Sequence, residues 1–178
     1  MMNKKAAIGL SINTLVVVII SLVVLAGGIT LLYKFIGGAE EIKGELDAKT
    51  KTELERLLVD QGKPVALPLH VAYVNRGEQH VFGIGILNIG GVGDKFNIEV
   101  GLSKVLDETE SQVSVSGTDT WLLFNTKSIK ILEGEHVSES ILVNVPKTAP
   151  NGQYIFSVKI FSDSKQYGNT QKFYVNVK

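Results

Sequence analysis

The chain contains no cysteine. That excludes a disulfide framework, a thiolate metal site and a cysteine nucleophile, so any folded domain must rest on its hydrophobic core. Net charge is also missing: 18 basic residues balance 18 acidic ones. There is no basic field to attract nucleic acid and no acidic one to gather cations. No Asn-x-Ser/Thr acceptor occurs. The three histidines, His70, His80 and His136, lack metal-ligand spacing. No local motif assembles a Ser/His/Asp or paired-carboxylate arrangement. The expectation is a protein that is not an enzyme, holds no metal or cofactor, and works by where it sits and what it touches.

Charge is absent from one long stretch in particular. Ala6 to Tyr33 spans 28 positions without a charged residue, roughly 42 Å as a helix at about 1.5 Å per residue. A bilayer core needs about 20 residues. The densest part is Leu15, Val16, Val17, Val18, Ile19, Ile20, Ser21, Leu22, Val23, Val24 and Leu25, where the lone hydroxyl can bond back along the helix. This reads as a transmembrane helix in contact with membrane lipid. Lys4 and Lys5 precede it, and Glu40 and Glu41 follow soon after Lys34. The positive-inside rule then puts the N-terminus in the cytoplasm and the remainder outside the membrane. The segment has three possible fates. It is a signal peptide cut near Ala26-Gly27-Gly28, an uncleaved single-pass anchor, or the core of a surface filament.

The third fate comes from Lys4-Lys5-Ala6-Ala7-Ile8-Gly9. This stretch resembles the processing site of archaeal type IV pilins and archaellins, whose short basic leader is removed just before the hydrophobic helix. The resemblance implies Lys5 and Ala6 as recognition residues and Ala7 as the mature first residue. It further implies a helix that is kept and packed with other copies into a filament core.

Beyond Gly37-Gly38, residues 39–61 are highly charged and rich in helix formers. Ile42, Leu46, Leu54, Leu57 and Leu58 form an apolar stripe, and Glu45–Lys49 and Asp47–Lys51 fall at i,i+4. An amphipathic helical stalk is expected, packing its stripe on the following domain or on neighbouring subunits. Gly62 and Pro64 stop it.

From residue 64 the period becomes two. Lys95 to Leu102 alternates throughout; Ile141, Val143 and Val145 share one face, as do Tyr154, Phe156, Val158 and Ile160, and Phe173, Val175 and Val177. Turn signals fall at Asn75-Arg76-Gly77, Gly90 to Asp94, Glu133-Gly134-Glu135, Pro150-Asn151-Gly152 and Tyr167-Gly168-Asn169. About seven strands point to an antiparallel β-sandwich. Pro150 to Phe156 resembles the entry to strand F of immunoglobulin-like domains, which implies Tyr154 as a tyrosine corner bonded to upstream backbone. The stretch Asn88-Ile89-Gly90 with the strand after it is similar to adhesion-type immunoglobulin-like repeats of prokaryotic surface proteins.

The glycine-rich run 82–94 is not a phosphate loop. It lacks the sixth-position glycine and any Gly-Lys-Ser/Thr, and no helical pattern follows it. Phe82, Ile84 and Ile86 face a core, leaving Gly83 and Gly85 as a bare strip where another backbone or subunit can approach closely. Asp107-Glu108-Thr109-Glu110 lacks the alternating ligands of a calcium loop and reads as a solvated turn. Trp121 to Phe124 reads as core.

The expected fold is therefore α+β by content. Residues 1–6 are a cytoplasmic leader, 7–36 a transmembrane or filament-core helix, 37–62 a hinge and helical stalk, and 63–178 an extracytoplasmic immunoglobulin-like sandwich. The expected function is a pilin- or archaellin-like filament subunit. The alternative is an anchored, non-polymerising binding or adhesion module. Its partners would be other copies, cell-surface proteins or polysaccharide, with no nucleic acid.

Overall fold

Alternating apolar and polar residues pair into ten β-strands in a computed structural model that describes residues 14–25 and 46–178. They are β1 (Val65–Ala66), β2 (Val71–Val74), β3 (Gln79–Leu87), β4 (Lys95–Leu106) and β5 (Gln112–Val113), then β6 (Leu122–Phe124), β7 (Ile129–Lys130), β8 (His136–Asn144), β9 (Gly152–Ser162) and β10 (Lys165–Val177). One sheet has the order β1-β3-β8-β6, the other β2-β10-β9-β4-β5, with β7 also paired to β4. All pairs are antiparallel except β2 with β10. Strands β1, β3, β8 and β6 occupy the A, B, E and D places of an immunoglobulin-like sandwich, and β4, β9 and β10 the C, F and G places. β2, β5 and β7 are additional. The first strand is split because Pro68, which has no N–H to give a ladder, falls between β1 on one sheet and β2 on the other.

Inward-facing residues of both sheets make one core. Phe82, Ile84, Ile86, Ile141 and Val143 meet Phe156, Val158, Ile160, Phe173 and Val175. At the centre Phe173 lies 4.3 Å from Phe82 and 5.1 Å from Phe156, ring centre to ring centre. Trp121 is buried, 4.7 Å from the Tyr154 ring.

The Tyr154 hydroxyl donates to the Pro150 carbonyl at 2.9 Å, tying the start of β9 to the loop before it. Burial pushes this phenol up, with Arg76 acting weakly the other way. Tyr154→Phe keeps the ring and removes one hydrogen bond. It is expected to cost about 0.5–1.5 kcal/mol, read as a lower urea midpoint with an unchanged slope.

His80 sits at the other side of the core, its ring edge on Phe82 at 4.8 Å. Its Nε2 is buried without a hydrogen-bond partner, and burial lowers its pKa. In the unfolded chain a histidine titrates near about 6.5, so on acidification the unfolded state takes up this proton first. The contribution of His80 is complete above that pH and is lost as pH falls through the lowered folded value. Thermal melts stepped downward from pH 7 are expected to show this loss, and His80→Phe to flatten it. Equal slopes in the two proteins would remove the assignment to His80.

Among the described residues, two longer helical stretches and one 3-10 turn, Thr118–Trp121, accompany the strands. Helix α1 covers residues 14–25. Helix α2 (Ala48–Glu55) continues as one π-helical turn, Arg56–Asp60. Asp47 caps the start of α2: the carboxylate accepts the Thr50 N–H at 2.6 Å, a bond that holds its pKa down. Leu54, Leu57 and Leu58 pack with Ala66 and Leu87 in a second apolar cluster. The seat is the strip of Gly83 and Gly85. A Cβ on Gly83 would lie 2.7 Å from the Thr50 methyl and 2.8 Å from Leu46, and one on Gly85 2.6 Å from Leu58. The helix reaches the sheet only because those two side chains are missing. The element that approaches the bare strip is the chain's own.

Four expectations are corrected. The described residues are mostly β rather than α+β. The stalk is not a long amphipathic helix: the described part is 13 residues of α2 and π turn folded back on the sheet, because its leucines find an apolar seat on the same domain. Residues 39–45 lie outside the described residues. The turn expected at Tyr167-Gly168-Asn169 is a bulge inside β10, where the register with β9 shifts between Tyr167 and Gln171. Finally, no helix among the described residues is long and apolar enough to cross a membrane. In α1 the Ser21 Oγ donates to the Val17 carbonyl at 2.8 Å; the rest of the expected 7–36 helix lies outside the described residues. Neither a transmembrane helix nor a single-pass location with a cytoplasmic N-terminus is supported. The chain divides into two units, Met1–Glu40 and Glu41–Lys178. The sandwich, its loops and α2 all belong to the second.

Candidate functional site at the loop end of the sandwich

Three connections gather at one end of the sandwich. β3 leads into β4 through residues 88–94, β7 into β8 through 131–135, and β9 turns into β10 at 163–164. The ladders bring them together: Leu87 pairs with His136, and Phe96 with Ser162. In immunoglobulin-like domains the B–C, D–E and F–G connections hold these places.

One buried amide fixes the first two loops. Asn88 is 2 % exposed. Its Nδ2 donates to the Ile131 carbonyl at 2.9 Å and to that of Gly93 at 3.3 Å, and its Oδ1 accepts the Gly90 N–H at 3.0 Å. Its backbone joins in: Asn88 N–H donates to the Glu135 carbonyl at 2.9 Å, and Gly134 N–H donates to the Asn88 carbonyl at 2.8 Å. Ile131 N–H reaches the Asp94 carbonyl at 2.8 Å. Tyr167 ties the strand after the third loop to the first, donating to the Leu87 carbonyl at 2.6 Å and accepting the Ile89 N–H at 3.0 Å. Its ring meets Phe96 edge-on at 5.1 Å. Asn88→Ala leaves the buried Ile131 carbonyl without its donor. An expected cost of about 1–3 kcal/mol should emerge in chemical denaturation, with faster amide exchange at 88–94 and 131–135.

On these fixed loops apolar side chains face outward: Ile89 is 59 % exposed, Val92 44 % and Leu132 49 %. Charges of both signs flank them. Lys130 and Asp94 form an exposed ion pair at 3.5 Å that adds little stability, and Glu133, Asp163 and Lys165 are exposed. Between the first loop and the β9–β10 turn lies a cleft of about 170 Å³ lined by Gly91, Val92, Gly93, Ser162, Asp163, Lys165, Gln166 and Tyr167. A larger one of about 300 Å³ lies by the π turn and the β10 bulge, lined by residues 63–67 with Leu57, His70, Asn169 and Gln171.

Of the residues singled out from sequence, Lys5, Ala6 and Ala7 lie outside the described residues. The apolar residues from Leu15 to Leu25 are helical and exposed. Tyr154 is at the opposite end from the loops. The described residues hold no group of three or more His, Asp or Glu placed to bind a metal. The Asp107 carboxylate turns back on its own loop, accepting the N–H groups of Thr109 at 2.8 Å and Ser111 at 2.9 Å. The loop end is not evident from sequence. Its visible signal is Asn88-Ile89-Gly90-Gly91, which reads as a turn.

No protein-family model matches the chain, and no characterised protein sequence matches it. Among solved structures it is similar to part of a family 123 glycoside hydrolase from Clostridium perfringens, with 15% identity and a TM-score of 0.46, over 63% of this chain and 23% of that one. It is also similar to a PapD-like domain of human CEP192, with 14% identity and a TM-score of 0.43, over 65% of this chain and 84% of that one. The class 5 fimbriae chaperone CfaA gives 11% identity and a TM-score of 0.39, over 62% and 54%. No pilin or archaellin is among the similar structures found, and the pilin-like reading is withdrawn with the membrane helix it depended on. At these TM-scores the likenesses assign no activity or partner. The strand order and its A, B, E, D and C, F, G places make residues 65–177 an immunoglobulin-like β-sandwich domain.

Proposed function

We propose that the sandwich is a non-catalytic recognition module that meets a polysaccharide with its loop end. The observation behind this is the combination of rigid loops and exposed apolar side chains. Asn88 and Tyr167 hold the loops by buried hydrogen bonds, yet Ile89, Val92 and Leu132 are held in water rather than in the core. A preformed surface loses less entropy when a partner arrives, and function concentrates on loops positioned by a rigid scaffold. A sugar chain matches the chemistry of this end. Its rings offer apolar C–H faces to the aliphatic residues and hydroxyl edges to Asp94, Lys130, Glu133, Asp163 and Lys165, while the mixture of signs favours neither a strongly anionic nor a cationic ligand.

The test compares the full chain with its Ile89→Ser/Val92→Ser/Leu132→Ser variant on a printed panel of neutral and charged glycans. The wild type is expected to be retained on a subset of the panel, and the variant to lose at least tenfold in signal. These positions are exposed, so the variant's melting curve should stay close to that of the wild type. Equal retention of both proteins would move the contact away from the loop end. Retention on no glycan would overturn the polysaccharide.

A further inference from the structure

The end of the sandwich away from the loop end carries the chain's only Asn-Gly pair, Asn151-Gly152, at the entry to β9. In such a pair the side-chain amide is open to attack by the next backbone nitrogen, because glycine has no side chain to shield it. The fold demands the glycine. Gly152 has a φ of 149°, which side chains disfavour, and a Cβ there would collide with the Leu106 carbonyl of β4. A chemically labile pair is therefore built into the start of the strand.

Three hydrogen bonds hold this pair. Asn151 is exposed, yet both ends of its amide are gripped from other connections. Arg76, in the β2–β3 turn, donates from Nη2 to Asn151 Oδ1 at 2.5 Å. Asn151 Nδ2 donates to Glu108 Oε1, in the β4–β5 connection, at 3.1 Å. The amide cannot be turned over in this grip, since a guanidinium only donates and a carboxylate only accepts. The third bond belongs to the ladder. Tyr174 and Lys178 donate their N–H groups to the His70 and Val74 carbonyls on the β2 side. Alternate residues point the other way, so Val175 and Val177 turn theirs to β9. Val177 stands opposite Gly152, and such a pair exchanges both bonds. The Gly152 N–H, the nucleophile of any attack, is thus engaged.

We infer that Asn151-Gly152 is a latent modification site, a self-cyclising pair that the folded end restrains and an opening of that end releases. Intramolecular attack needs its reacting atoms about 3–3.5 Å apart and aligned, and the grip on the amide and the ladder bond together withhold that approach. Once released, the Gly152 nitrogen gives its proton to solvent hydroxide and bonds to Asn151 Cγ. The Cγ–Nδ2 bond breaks and ammonia leaves. Water then opens the five-membered imide at either carbonyl. The product is aspartate at 151, or its isomer with the main chain routed through the side chain. The net change is one water taken up and one ammonia lost, with no other reagent. Neither product restores the grip: each replaces the donating amide by a carboxylate beside Glu108. The isomer also adds a carbon to the main chain where Gly152 lies against β4. A brief opening thus leaves a permanent mark.

The experiment incubates the full chain in mildly alkaline buffer, with and without denaturing guanidinium chloride. Peptide mapping then separates asparagine, aspartate and isoaspartate at each position. In denaturant, position 151 is expected to convert ahead of every other asparagine. In native buffer its rate should be about tenfold lower or less. The Arg76→Ala/Glu108→Ala variant should raise the native rate about threefold or more, the worth of a modest hydrogen bond, and leave the rate in denaturant unchanged. Both partners are exposed, so its melting curve should stay close to that of the wild type. Equal rates with and without denaturant would show that the fold imposes no restraint. An unchanged native rate in the variant would take the grip away from Arg76 and Glu108, and a lower one would make them activators of the amide. Each of these results would overturn the inference, as would an unfolded chain in which other asparagines convert first.

Discussion

Replacing Phe173 with alanine is expected to lower the stability of the sandwich by about 3–5 kcal/mol, the largest effect expected from any single truncation in this core. The ring is fully buried and lies between Phe82 on the facing sheet and Phe156 on the neighbouring strand. Truncation removes its own transfer free energy and leaves a cavity whose walls belong to both sheets. Those walls are held by ladders on either side and collapse poorly. Domains of this size are stable by about 5–15 kcal/mol, so a substantial part of the total is at stake. Urea unfolding should show a lower midpoint with little change in slope. A loss below about 1 kcal/mol would mean that the facing sheets close over the gap, and that the aromatic stack is not the centre of the core.

The second large effect is expected at α2, and it should be local. Leu54→Ala removes a fully buried side chain from the cluster that holds the helix on Gly83 and Gly85, at a cost of about 2–5 kcal/mol. That cluster is separate from the main core. Hydrogen exchange should therefore show protection lost across residues 48–60 while β3 and β8 keep theirs. Gly85→Val tests the same contact from below. By strand propensity alone valine is an improvement, but its Cβ would lie within 2.6 Å of Leu58. Overpacking of about 1–3 kcal/mol is expected instead. Leu58→Ala should relieve part of that penalty, since the two sites touch and their effects should not add. A Gly85→Val protein with full protection at 48–60 would show that the helix does not depend on the bare strip.

Legibility in the sequence followed the range of the interaction. The strands carrying alternating apolar residues, such as those with Phe156 and Phe173, could be read because the period is local and the core selects it. Gly83 and Gly85 could be read as a bare strip for the same reason. What lands on the strip could not, because the leucine stripe of α2 fits any apolar seat, and the choice between its own domain and a neighbour is tertiary. The splitting of the first strand at Pro68 leaves no periodic signal because its pieces are only 2 and 4 residues long. Asn88 announced a turn but not a clamp, since its key acceptor, the Ile131 carbonyl, is 43 residues away. The β9–β10 turn has no local signal because Asp163-Ser164 lacks the glycine that marks such hairpins, whereas Gly168 marks a bulge. The apolar run near the start misled most. Hydropathy and charge describe what a segment tolerates, and the inference to membrane and filament went further than the described residues support.

The helix on the glycine strip also determines how the domain answers a pull. Tension applied from the N-terminal side meets Leu46 and Thr50 beside Gly83 first, then Leu54, and last Leu58 beside Gly85, before it reaches the β1–β3 ladder. Contacts loaded one after another peel, whereas ladders loaded side by side shear, and peeling yields at the lower force. Residues 46–63 would then release roughly 60 Å of extended chain at about 3.3–3.6 Å per residue, against about 20 Å for the 13 helical residues. The sandwich would keep its strands and its loop end unchanged throughout. The two glycines thus set a slack length in series with a stiff domain, a spring whose travel is written in the missing side chains of β3.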